Sequence, residues 1–128
     1  MKLVPILVTG SKFRIYAVDI SDREAVEHCP AKAFLATMSS TSSRSIHATL
    51  RFHSEHGPIH NEEKSRKLST HIYEFKTPQG DRLYYFYLEG RLSVLTHGSR
   101  KPTKSLVKRE VEKAQDIMDR YIQWRGSQ

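Results

Sequence analysis

Two apolar, β-branched runs open the chain, Val4–Val8 and Phe13–Ile20, with Thr9-Gly10-Ser11 as a turn between them. In the second run Phe13, Ile15 and Ala17 alternate with Arg14, Tyr16 and Val18, which predicts a sheet strand. Ser21-Asp22 offers a cap and Asp22–Glu27 a short polar turn of helix. Pro30 suits the first turn of the next helix, whose apolar members are Phe34, Leu35 and Met38, and the Ser39–Ser43 cluster breaks it. A second helix is predicted from Ser43 to His56, burying Ile46, Leu50 and His53 with Ala48 and Phe52 alongside; Gly57-Pro58 ends it. Residues 59–68 are polar without a period and are expected to be a loop.

His71–Lys76 and Asp81–Leu88 form the next expected strands, joined by the turn chemistry of Thr77-Pro78-Gln79-Gly80. Glu89-Gly90 then turns into a strand over Arg91–His97. Thr103 or Ser105 can cap a last helix along which Val107, Val111, Ala114, Met118 and Tyr121 recur at four- and three-residue steps, one apolar stripe. The predicted order is β, α, α, β, β, β, α. It implies an α+β single domain over residues 1–128: a small antiparallel sheet, two N-terminal helices packed on one face, and a C-terminal helix covering that same face.

A chain of 128 residues with 38% hydrophobic and 27% charged content can bury a core of its own, which argues against a disordered protein. One cysteine, Cys29, rules out an internal disulfide and a cysteine-rich zinc site. The run Leu3–Val8, broken by Pro5, is too short for a signal segment, and no apolar run has the length of a membrane span, so a cytoplasmic protein without membrane contact is expected. Net charge is +7 and the pI about 9.7. That balance favours nucleic acid or an acidic protein as partner. The charge is concentrated: from His97 to Arg109 there are five Lys/Arg, one His and no acid. Arg82 on the preceding strand can be brought beside that stretch when the strands pair, a cationic cluster suited to a polyanion such as RNA.

The ordered segments Ile72-Tyr73-Glu74-Phe75-Lys76, Asp81-Arg82-Leu83-Tyr84-Tyr85-Phe86, Leu95-Thr96-His97-Gly98-Ser99-Arg100-Lys101 and Glu110–Ala114 resemble the HigB-like branch of the RelE/ParE toxin superfamily. Ala33-Phe34-Leu35, Ile46–Phe52, Glu55-His56-Gly57 and Lys67-Leu68 fall in the same order, so the resemblance spans roughly residues 13–122. It implies a RelE-like fold and a toxin of a type II toxin–antitoxin system, a metal-independent messenger-RNA endonuclease acting on the ribosome. Its implied partners are messenger RNA and a helix-turn-helix antitoxin; it needs no cofactor. Arg82 then matches the strand arginine that contacts the scissile phosphate, and Arg100 the basic residue at the end of the last strand. Lys101 matches the second lysine of a Lys-Lys pair, and His97-Gly98 a His-Gly pair. The pattern is departed from at Glu74, where a lysine stands in RelE, at Lys76 for an arginine, at Ser99 for a bulky apolar residue, and near Leu106, where the C-terminal tyrosine has no counterpart.

Such cleavage needs a 2′-hydroxyl deprotonated, the phosphorane charge stabilised and the 5′-oxygen protonated. The expected catalytic set is Arg82 and Arg100 for the phosphate, with His97 for proton transfer. Tyr84, Lys76, Lys101 and Lys104 are expected to bind RNA. Each has a plainer reading. Arg82 can be a strand arginine paired with Glu74 or Glu89, His97 can close a turn, and Tyr84–Tyr87 can be packing. His53-x-x-His56-x-x-x-His60 has partial metal-ligand spacing, but Gly57-Pro58 interrupts it and no metal is expected. The competing functions are a ParE-like or phage-derived member that binds a protein target such as DNA gyrase, and an inert antitoxin-binding relic.

Overall fold

The computed structural model describes residues 1–128. Its frame is one six-stranded sheet in the order β1-β2-β6-β5-β4-β3. The strands are β1 (Lys2–Leu7), β2 (Arg14–Asp19), β3 (Ser65–Lys67), β4 (Tyr73–Lys76), β5 (Asp81–Leu88) and β6 (Leu92–Arg100). The helices are α1 (Pro30–Leu35), α2 (Ser40–His56) and α3 (Lys104–Gly126). The first apolar run is therefore a strand too, paired antiparallel with β2. Within residues 59–68, expected to be a loop, β3 adds a short edge strand to β4.

The sheet is mixed, not antiparallel: β2 runs parallel to β6, with Arg14 opposite Leu92 and Ala17 opposite Leu95. The helices cover both faces, which corrects the expectation of one covered face. On one face α1 and α2 pack Ala31, Ile46 and Leu50 onto Ile15, Ala17, Leu83, Tyr85 and Leu95. On the other, α3 packs Ala114, Ile117, Met118 and Tyr121 onto Val18, Tyr84, Phe86 and Val94. Side chains alternate along a strand, so Tyr84 and Phe86 go to α3 while Leu83 and Tyr85 go to α2. A strand buried on both faces reads as a nearly continuous apolar run, and β5 does.

Helix α2 starts one turn earlier than the serine cluster suggested, because that cluster supplies its cap. Ser39 Oγ accepts from the Ser42 N–H at 3.2 Å, and Gly57, at φ 90°, ends the helix in a conformation that favours glycine. Helix α1, only six residues long, begins at Pro30 as expected.

One irregularity decides what faces where. Tyr84 pairs with His97 but Tyr85 pairs with Leu95, so Thr96 is an extra residue in β6, a β-bulge. Regular alternation from Leu95 would turn His97 toward α2. The bulge turns it toward α3, where it stacks on Tyr84 with ring centroids 4.6 Å apart. Gly98 then faces α1, pressed against the Phe34 ring with no room for a Cβ. Ser99 returns to the α3 face, with its hydroxyl 2.8 Å from that of Tyr84.

Candidate nucleic-acid interface

Three neighbouring strands carry a row of polar groups on the α3 face. Glu74 of β4 stands opposite Tyr84, and Lys76 opposite Arg82. Glu74, almost fully buried, binds two arginines. Oε1 is 3.3 Å from Arg82 Nε, and Oε2 is 2.9 Å from Arg66 Nη2. The pairing of Arg82 with Glu74 is the plainer reading of that arginine. Only 8% of Arg82 is exposed, and its Nη1 donates to the Asp81 carbonyl.

His97 lies next in the row, 1% exposed. Its Nε2 is 3.0 Å from Glu110 Oε2 on α3, and its Nδ1 is 3.2 Å from Thr96 Oγ1. Burial pulls the imidazole below its ordinary pKa of 6.5, opposed by the hydrogen bond to Glu110. The neutral ring with its proton on Nε2 therefore donates to the carboxylate, and Nδ1 lies beside the Thr96 hydroxyl, which also donates to the Tyr84 carbonyl at 3.3 Å. Burial also pushes the Tyr84 hydroxyl up to about 12, so it stays protonated beside Ser99. Tyr84 is 1% exposed, and its ring is spent on His97 and the core.

Where β6 passes into α3, a cleft of about 250 Å³ opens between the two elements, and Ser99, Arg100, Lys101, Arg109 and Glu110 line it with the loop residues and Leu106. Three of those side chains are cations and one is an acid. Arg100 stands on the opposite side of its strand from Arg82 and His97, opposite Asp81. Its Nη1 is 2.5 Å from Asp81 Oδ1 and its Nη2 donates to the Gln79 carbonyl at 3.2 Å, yet 71% of the side chain remains exposed. Asp81 is buried and also bonded to the Ser42 hydroxyl. The Arg100 guanidinium is thus tethered from behind with its outer edge in solvent.

The structure brings Arg82, Tyr84 and His97 into one layer, and gathers Arg100 and Lys101 at the cleft. It does not bring all three expected catalytic residues together: Arg82 and His97 lie beneath the surface, whereas Arg100 is at the rim. Lys76 sends Nζ to the Glu62 carbonyl at 3.1 Å, near the β3 edge. Lys104, exposed at the start of α3, is outside the cleft lining. Arg109 and Glu110 join the cleft from α3, although little in the sequence marks either as a site residue. The available signal was that Glu110 is the first acid after the cationic stretch beginning at His97.

His53, first of the spaced histidines, does not point outward. It is fully buried, with Nε2 2.7 Å from Ser93 Oγ on β6, among Phe13, Phe75 and Tyr85. Burial lowers its pKa to about 4. No helix is long and apolar enough to cross a membrane.

Among solved structures the chain is similar to the isolated RelE toxin of E. coli, at 16% identity and a TM-score of 0.46, over 65% of this chain and 88% of that one. No curated protein matches it. The family described as "Phage derived protein Gp49-like (DUF891)" matches residues 33–119, from α1 almost to the end of α3 and through every element that builds the cleft. The chain belongs to that Gp49-like family.

Proposed function

We propose that this protein is a toxin of a type II toxin–antitoxin pair, of the HigB-like branch, which cleaves messenger RNA on the ribosome without a metal ion. A cognate helix-turn-helix antitoxin neutralises it. The observation that carries this reading is the cleft at the β6–α3 junction, where Arg100, Lys101 and Arg109 surround a single carboxylate. Guanidinium forks match phosphate oxygens and keep their charge at every physiological pH. Arg100, held from behind by Asp81, presents its charge with little side-chain freedom left to lose. Arg82 contributes from beneath as a buried positive charge shared with Glu74, not as a direct ligand.

The test is induced expression, with messenger RNA integrity followed in the arrested cells, and cleavage by purified protein with and without ribosomes. Lys101→Ala and Arg109→Ala are the informative substitutions, because neither side chain holds a buried partner. Each is expected to lower cleavage about 10-fold, the worth of one charged hydrogen bond. Each should also reduce the salt dependence of RNA binding by roughly 0.7 in slope. Full toxicity in the double variant would remove the cleft from the mechanism.

A second reading is favoured by one observation: Arg82 and His97 are both buried and both paired with carboxylates inside the protein. A member that binds a protein target such as DNA gyrase, and cuts nothing, needs neither group free. Arrested cells with intact messenger RNA and impaired gyrase would select it.

A further inference from the structure

We propose that Glu110 is the group that takes the proton from the attacking 2′-hydroxyl, and that His97 is the positioning residue behind it. This rests on the nuclease reading of the same cleft. Glu110 is the one carboxylate among the cleft-lining residues, and its side chain is 18% exposed. Its two oxygens are differently employed. Oε2 accepts from His97 Nε2 at 3.0 Å, and Oε1 has no hydrogen-bond partner within the protein.

The alternatives in the layer fail on access. His97, the expected proton-transfer group, is 1% exposed, and its Nε2 is occupied by Glu110. Glu74 is 2% exposed and each of its oxygens is bound by an arginine. The Tyr84 hydroxyl is tied to Ser99 and held in its protonated form by burial.

His97 fixes Glu110 in a particular way. The imidazole is clamped by stacking on Tyr84 and by Thr96 at Nδ1, so its Nε2–H has one direction. That bond pins the carboxylate on α3 to the sheet and leaves Oε1 unpaired in a cleft that Arg100, Lys101 and Arg109 also line. In the step, Oε1 accepts the 2′-hydroxyl proton as O2′ bonds to phosphorus. The P–O5′ bond breaks, and the 5′-oxygen takes a proton from solvent water in the open cleft. Glu110 then returns its proton to the hydroxide so formed. The products are a 2′,3′-cyclic phosphate and a 5′-hydroxyl. The charged and titratable groups around the carboxylate are His97 and Tyr84 from the sheet, Arg100 and Lys101 from the strand end, and Arg109 and Lys113 on its own helix.

The experiment uses end-labelled messenger RNA on programmed ribosomes, cut by the full chain and by Glu110→Gln, Glu110→Asp, His97→Phe and the Glu110→Gln/His97→Phe double variant. Binding is measured separately to the same RNA carrying 2′-deoxy substitutions. Glu110→Gln keeps an acceptor for His97 and is expected to lose about 10²- to 10⁴-fold in kcat, the usual worth of a general base, with binding changed less than threefold. Glu110→Asp should recover part of the rate. His97→Phe keeps the stacking on Tyr84 but has no N–H for Glu110; it should lower kcat with RNA binding changed less than about threefold, and adding Glu110→Gln to it should cost little further rate, whereas a merely structural histidine would leave Glu110→Gln its full effect in that background. Circular dichroism and a urea midpoint for each variant separate lost folding from lost chemistry. Undiminished kcat in Glu110→Gln, with the wild type cutting, overturns the Glu110 assignment and leaves the nuclease reading standing. A wild type that cuts no RNA overturns both.

Discussion

Replacing Gly98 by alanine tests how the strand that carries His97 and Ser99 is held. An ideal Cβ at Gly98 would lie 2.5 Å from Phe34 Cγ and 2.9 Å from Cε2, and closer still to Cδ2. Ordinary carbon contacts begin near 3.5 Å, so the ring or the strand must move by about 1 Å. Phe34 belongs to the six-residue helix α1, which packs on β6, so the clash is relieved by the ring turning from its place on the strand or by α1 shifting on the sheet. Overpacking of this kind destabilises by about 1–3 kcal/mol, equivalent to roughly 4–12 °C in Tm for a domain of this size. The assay is urea unfolding of Gly98→Ala, Phe34→Ala and the double variant. Phe34→Ala alone should also destabilise, by about 3 kcal/mol or less since the ring is only partly buried. In the double variant the methyl group occupies space the ring has left, so the losses should combine sub-additively, with a coupling of about 1 kcal/mol or more. Strict additivity, or a Gly98→Ala protein as stable as the wild type, would refute the claim that this glycine exists to admit the ring.

The two arginines on Glu74 should behave unequally. Arg66, 45% exposed, should cost less than about 1 kcal/mol when replaced by alanine. Glu74→Gln leaves the 9%-exposed Arg82 side chain without its counter-charge and should cost about 3–5 kcal/mol in denaturant midpoints. Stability should also fall in mild acid. His53 is held at about 4 when folded and returns to 6.5 when unfolded, so the unfolded chain binds more protons between those values. The contribution is complete above pH 6.5 and lost as pH falls toward 4, about 3 kcal/mol in all, with His97 adding a loss of the same sign. His53→Gln should flatten the curve, and an unchanged slope of stability against pH would count against a buried neutral His53.

The elements were legible where the period is local. The Thr77–Gly80 turn joined two strands where the structure has them, and the stripe through Ala114, Met118 and Tyr121 is the face that α3 buries. What escaped was non-local. The parallel pairing of β2 with β6 joins segments some seventy residues apart and leaves no trace in either. The unbroken Leu83–Tyr87 run is the mark of a strand buried on both faces, which packing over a single covered face does not require. At the cleft, composition located the cations correctly but could not say which are free. Arg82 and Arg100 look alike in sequence, yet one is enclosed with Glu74 and the other rests on Asp81 at the surface. Glu110 lay in a matched motif, and only the fold placed it against His97.

The extra residue at Thr96 gives β6 one residue of slack. Tyr85 stands opposite Leu95 and Tyr84 opposite His97, with Thr96 matched by nothing on β5. Deleting Thr96 would close the ladder without changing a partner: His97 would follow Leu95 onto the α3 face, still over Tyr84, and Gly98 would still meet Phe34. The deletion would take away only the hydroxyl beside His97 Nδ1 and the local bend of the strand. The sides are exchanged by the reverse change, in which Thr96 stays and the bulge is ironed out. Thr96 would then stand opposite Tyr84, His97 would turn toward Phe34, and Arg100 would leave Asp81 for the side of Glu110. Loss of this one residue among related chains should accordingly leave the two faces of the strand as they are.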